Sequence, residues 1–146
     1  MVNAIEETLE HAKFLARHLT HCDDSTVVHV VLCELGFDPK NNGFTYLERA
    51  IAMRVENPIR QLMDDIYIAI SAEFDGIEDN KHIDQAIRRS VADAWIERDI
   101  DVWRLFFPYM KKGKERKPSN GDVIARVAWF VELWQGCCKE VEYAQY

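Results

Sequence analysis

The 146-residue sequence contains no apolar run long enough to cross a membrane, and nothing resembling a secretory leader opens it. Cys22, Cys33, Cys137 and Cys138 form no Cys-x-x-Cys pair and no regular framework. That argues against a disulfide scaffold and for a cytoplasmic protein with reduced thiols. The six glycines are scattered, so no glycine-rich loop is available to cradle a phosphate. Positive charge is in deficit as well: the formal net charge is −7, and such a mean field repels nucleic acid and anionic membrane unless a local patch overrides it.

One patch does. Residues 1–80 hold 6 Lys and Arg against 15 Asp and Glu, and residues 118–146 hold 2 against 4, but residues 81–117 hold 10 against 6. The length suits one compact domain with a single core.

Apolar periodicity runs almost throughout at helical spacing. Ile5, Leu9, Ala12, Ala16 and Leu19 predict an amphipathic helix over residues 3–21. The run "STVVHVVLCELG" is ambiguous: its valines favour a strand, whereas Ser25 as N-cap and Gly36 as a stop fit a short buried helix. Within "NNGFTYLERAIAMRVENP", Thr45 and Glu48 have capping-box spacing ahead of an inner stripe of Tyr46, Ala50, Ile51 and Met53, and Asn57-Pro58 closes the element. Ile59, Leu62, Met63, Ile66, Ile70 and Phe74 then point inward from one long helix or two short ones, which stop at Asp75-Gly76. After the turn "DGIEDN", Ile83, Ala86, Ile87, Ser90, Val91 and Ala94 share one helical face, while Lys81, His82, Gln85, Arg88, Arg89 and Ala92 share the other. A short helix from Asp101 to Phe107 ends at Pro108, the polar loop "MKKGKERKPSN" follows, and Ser119 and Asp122 cap a last helix with Val123, Ile124, Val127, Val131 and Trp134 inside. The expected fold is all-α, with no visible repeat.

No nucleophile stands beside a base at a telling spacing, so no catalytic residue is assigned. Asp23-Asp24 and Asp64-Asp65 are adjacent, and in a helix their carboxylates diverge by about a hundred degrees. His11, His18, His21 and Cys22 could share a helical face, but without a complete ligand set at metal-site spacing they read as packing or capping residues. What remains is the basic outer face after the turn. An exposed helix of that kind fits the major groove, where Arg bonds guanine bidentately and Gln bonds adenine. Lys111, Lys112, Lys114, Arg116 and Lys117 would then contact phosphates, which fixes register without reading sequence. Periodicity alone leaves an ordinary solvated face and a flexible solvent loop as the simpler account.

Three segments, in order, resemble the DNA-binding effector domain of the sporulation-initiation response regulator, the stage-zero sporulation protein A family of endospore-forming bacteria. "GFTYLERAI" (43–51) is similar to that family's Gly-Tyr-x-Tyr-Leu-Arg-x-Ala-Ile, and "IDQAIRRSVADAW" (83–95) to its Val-Glu-Arg-Ala-Ile-Arg-His-Ala-Ile-Glu-x-Ala-Trp recognition helix. "KPSNGDVIARVA" (117–128) is similar to its Lys-Pro-Thr-Asn-Ser-Glu-Phe-Ile-Ala-x-Val-Ala, and coverage runs from about Val27 to Trp134. The resemblance implies a bundle of about six helices with an embedded helix-turn-helix, its supporting helix around Ile68–Phe74 and its recognition helix around Lys81–Arg98. "STVVHVVLCELG" then becomes a helix, and Arg88 and Lys117 match family positions.

The departures shape the expectation. Family members carry a receiver domain ahead of this one, where the sequence has a short helical segment, so control by aspartyl phosphorylation is not assumed. Gln85 replaces an Arg that faces DNA, Asp84 a Glu and Arg89 a His; a lost guanine contact costs about 1–3 kcal/mol or shifts preference toward adenine. The turn is about two residues longer than the family's, and Glu78 and Asp79 favour the helix dipole while repelling phosphate.

The resulting expectation is a non-enzymatic transcription regulator without cofactor, metal or membrane partner. Residues 1–24 form a helical extension and 25–146 the helix-turn-helix domain. Lys81, His82, Gln85, Arg88 and Arg89 face double-stranded DNA, and the 111–117 loop faces its backbone. RNA polymerase or another regulator is the expected protein partner, and the helix at residues 3–21 is expected either to cap the bundle or to mediate dimerisation, giving a homodimer, in place of a receiver domain. The rival is a protein-interaction module on the same fold with weakened DNA binding.

Overall fold

The structure, a computed structural model, describes residues 3–57, 63–74, 76 and 79–144. Among them are seven helices and no strand: α1 (Ala4–His18), α2 (Asp24–Glu34), α3 (Asn42–Glu56), α4 (Met63–Glu73), α5 (Asn80–Ile96), α6 (Ile100–Phe106) and α7 (Asn120–Ala144). Pro58, Ile59, Leu62, Asp75 and Glu78, to which the sequence assigned inward or turn positions, lie outside the described residues.

The ambiguous valine run is α2, and its ends explain why. The Asp23 carboxylate accepts the Thr26 backbone N–H at 2.9 Å and the Ser25 and Thr26 hydroxyls at 3.1 and 2.7 Å, so the N-cap is Asp23 rather than Ser25. At the other end Phe37 N–H reaches the Leu32 carbonyl and Gly36 N–H the Cys33 carbonyl, each at 3.0 Å, a Schellman closure around a left-handed Gly36. With both ends satisfied and Val27, Val28, Val31 and Leu32 buried, the few tenths of a kcal/mol that each valine costs a helix are outweighed.

Two further expectations are corrected. No capping box forms at Thr45 and Glu48, because α3 begins a turn earlier and buries Gly43 and Phe44; Glu48 instead meets His29 of α2 at 3.3 Å. On α1 the inner face is Thr8, Ala12, Leu15 and Ala16, while Ile5 is 63% and Leu9 37% exposed. Small Ala12 and Ala16 admit α7 and α6 closely, and Thr8 is tolerated inside because its hydroxyl donates to the Ala4 carbonyl at 2.9 Å.

The core is continuous. α3 packs on α5 and α7, α2 on α3 and α7, and α4 on α5 and α3. α5 buries Ile83, Ile87, Ser90, Val91 and Ala94, and α7 buries Val123, Ile124, Val127, Val131 and Trp134, as the periodicity predicts. Trp103 of α6 is fully buried beside Trp95 and Phe107, with ring centroids 5.1 and 5.4 Å away, and its Nε1–H donates to the Leu35 carbonyl at 3.0 Å. Trp103→Phe leaves that carbonyl unpaired and a small void. We expect a loss of about 2 kcal/mol, seen as a lower urea midpoint at unchanged slope. An unchanged midpoint would show that the indole hydrogen bond contributes nothing.

Candidate nucleic-acid interface

α4 and α5 form a helix-turn-helix pair seated on α3. α5 is capped by Asp79, whose carboxylate accepts the His82 backbone N–H at 2.8 Å; that bond, then His82 itself, holds the carboxyl below its usual range. The cap orients the helix and also sets a negative charge at its leading end.

One face of α5 is buried on α3, α4 and α7, so the remaining side chains point outward. Lys81, His82, Gln85, Arg88 and Arg89 are all exposed. Positions 81, 85 and 88 lie along one strip and 82, 85 and 89 along the next. The seat is tight at one point: the Gly43 backbone passes against the Ala86 carbonyl and the Ser90 hydroxyl with no room for a side chain.

The two arginines diverge. Arg88 donates to Asp84 Oδ2 at 2.9 Å and leans toward the start of α7, whereas Arg89 borders a shallow hollow with Asn41, Asn42 and Asp93 at the start of α3. Asp84 is the junction. Its Oδ1 accepts the Tyr67 hydroxyl at 2.8 Å and Asn120 Nδ2 at 3.2 Å, and Asn120 also reaches the Asp84 carbonyl at 3.1 Å. One half-buried carboxylate thus ties α4, α5 and α7 together and aims Arg88. Burial, together with the Asp84 carboxylate, pushes the Tyr67 hydroxyl up to about 12. The sequence reading singled out neither Tyr67 nor Asn120, nor the Asp84–Arg88 pair, whose spacing of four on a helix is the one signal that could have found it.

All five basic loop residues are exposed, but they do not act as one strip. Lys111, Lys114 and Arg116 surround Tyr109 and Met110 in a separate concavity, and Lys112 borders a turn closed by the Lys114 N–H on the Lys111 carbonyl at 2.9 Å. Glu115 borders Arg98 beyond the C-terminal end of α5, with its carboxyl held low by the Gly113 N–H and then by Arg98 and Arg104. Lys117 lines the same cleft as Arg88. The loop therefore passes the far end of α5 and finishes beside its middle.

Several of the residues considered for other chemistry are engaged elsewhere. His11 meets Glu34 at 2.7 Å, His18 packs against Phe14 with the rings tilted, Asp23 caps α2, and Asp24 accepts from Gln135 at 2.9 Å. Among the described residues no three His, Cys, Asp or Glu side chains gather as metal ligands, and no described helix is long and apolar enough to cross a membrane.

Residues 28–131, from within α2 to within α7, match the family model described as "Sporulation initiation factor Spo0A C terminal".

Proposed function

The chain belongs to the Spo0A C-terminal family, and from that premise we propose that it is a DNA-binding transcription regulator whose α5 enters the major groove. The observation that carries this reading is an α5 with one face buried and five polar, mostly basic side chains on the other, with Lys117 brought beside Arg88.

Lys81, His82, Gln85, Arg88 and Arg89 take the base-facing role. Arg88, aimed by Asp84, suits guanine, and Gln85 suits adenine. Lys117 takes a phosphate near the middle of α5, and Lys111, Lys112, Lys114 and Arg116 lie along the backbone farther out. The function is recognition, with no catalytic residue, cofactor or metal. It places the protein with the genome in the cytoplasm, where RNA polymerase or another regulator is the partner that would convert binding into control. The extension, residues 1–24, serves the domain of residues 25–146 through α1, which packs on α7 and α6 and offers Ile5 and Leu9 to a second copy.

The test is selection from a randomised duplex pool at two salt concentrations. Binding is expected to be selective and to weaken steeply with salt, because each neutralised phosphate releases counterions. Arg88→Ala should cost about 1–3 kcal/mol and relax one position of the site, while Lys117→Ala should weaken all sequences alike and lower the salt slope by about 1. Absence of binding even at low salt would sink the proposal and favour the protein-interaction reading, for which the exposed Ile5, Leu9 and Phe14 of α1 speak.

A further inference from the structure

Between α4, α5 and the start of α7 lies a cleft of about 500 Å³, within the range of small-molecule sites. Met63, Val91 and Pro118 supply an apolar lining, and among the described lining residues Arg88 and Lys117 place two cations against one carboxylate, that of Asp84. That carboxylate is already committed to Tyr67, Asn120 and Arg88, so the unmatched charge in the cleft is positive. A bare inorganic anion would leave the apolar lining wet, and a neutral apolar molecule would desolvate the cations without a partner.

We propose that this cleft binds a small organic anion, a metabolite-sized molecule carrying a carboxylate or phosphate on an apolar body, and that its occupancy draws Arg88 and Lys117 away from DNA. The binding stands on the cleft alone; only the competition rests on the DNA-binding reading.

Phenyl phosphate is the probe, with inorganic phosphate as control, titrated into the full chain and followed by amide chemical shifts. Phenyl phosphate is expected to move the resonances of residues 117–121 and Val91 saturably, and to bind about tenfold or more tighter than inorganic phosphate. Gly121 gives a block: a Cβ added there would meet Met63 at 3.8 Å, ordinary contact, and the rest of the side chain in Gly121→Leu would occupy space in the cleft that Gly121 lines. It should abolish the titration, and Lys117→Ala should weaken it by about tenfold. If Gly121→Leu does not fold, Lys117→Ala alone carries the comparison. Shifts that are absent, equal for inorganic phosphate, or unchanged in the variants would overturn the proposal. Shifts with duplex DNA and none with phenyl phosphate would overturn it too, making the cleft a seat for a backbone phosphate. Saturating phenyl phosphate should weaken DNA binding by wild type and not by Gly121→Leu. A successful titration in a protein that does not bind DNA would retain the site and dismiss the DNA-binding reading instead.

Discussion

Gly43→Ala is expected to destabilise the fold by about 3 kcal/mol or more, although alanine is the better helix former by about 1 kcal/mol. The added methyl would overlap the Ala86 carbonyl oxygen and the Ser90 hydroxyl, and would come within 2.7 Å of the Ala86 carbonyl carbon. Two of those three atoms are main chain and cannot rotate aside, so α5 has to back away from α3. Ile83 and Ile87, both fully buried, would then lose packing along the contact. Urea unfolding reads the effect. Adding Ser90→Gly should recover only part of the loss, since the carbonyl remains. Gly136→Ala on α7 provides the opposite sign: nothing lies within 4 Å of its added methyl, and a gain of about 1 kcal/mol from propensity is expected. Equal effects at the two glycines would refute the steric account.

Asp84→Ala is the second large effect, a loss of about 3 kcal/mol. It strips the Tyr67 hydroxyl of its acceptor, releases Arg88, and leaves Asn120 with weaker partners. Its pH signature is separable. The Tyr67 hydroxyl titrates near 12 in the fold against 10.0 ordinarily, so the native state holds this proton more tightly than the unfolded chain. The resulting stability is complete below pH 10.0 and is lost as pH climbs toward 12. Cys138, pushed up to about 11 from 9.0 chiefly by burial, adds to the decline from somewhat lower pH. In Asp84→Ala the alkaline decline should become shallower but persist, because burial rather than the carboxylate is the main cause at Tyr67. Phenolate absorbance during an alkaline titration measures this directly, and an identical Tyr67 transition in both proteins would exclude the contact. In DNA binding, losing an acidic group should slightly raise affinity for any duplex, while an untethered Arg88 should lower discrimination among duplexes.

The family was legible because its three segments, 43–51, 83–95 and 117–128, lie in order at helical register. The inward faces of α5 and α7 followed from spacing alone. Where spacing misled, a competing contact explains it. Thr45 and Glu48 have capping-box spacing, but Glu48 has a partner on another helix; Ile5 and Leu9 continue an apolar row, but the neighbours of α1 favour the small Ala12 and Ala16 and a self-satisfied Thr8. The Tyr67–Asp84–Asn120 junction was out of reach, since its members are 17 and 36 positions apart and carry no local pattern. The division of the basic loop was equally hidden, because consecutive lysines part company only once the chain has turned through Lys112 and Gly113.

The glycine contact between α3 and α5 separates posture from vocabulary. Because main chain rests on main chain there, the angle at which α5 leaves the scaffold does not depend on which side chains occupy its outer strip. Letters on that strip, such as glutamine at 85, can be exchanged without re-aiming the others. On the proposed DNA-binding reading, the preferred sequence can therefore be rewritten one position at a time on an unchanged frame.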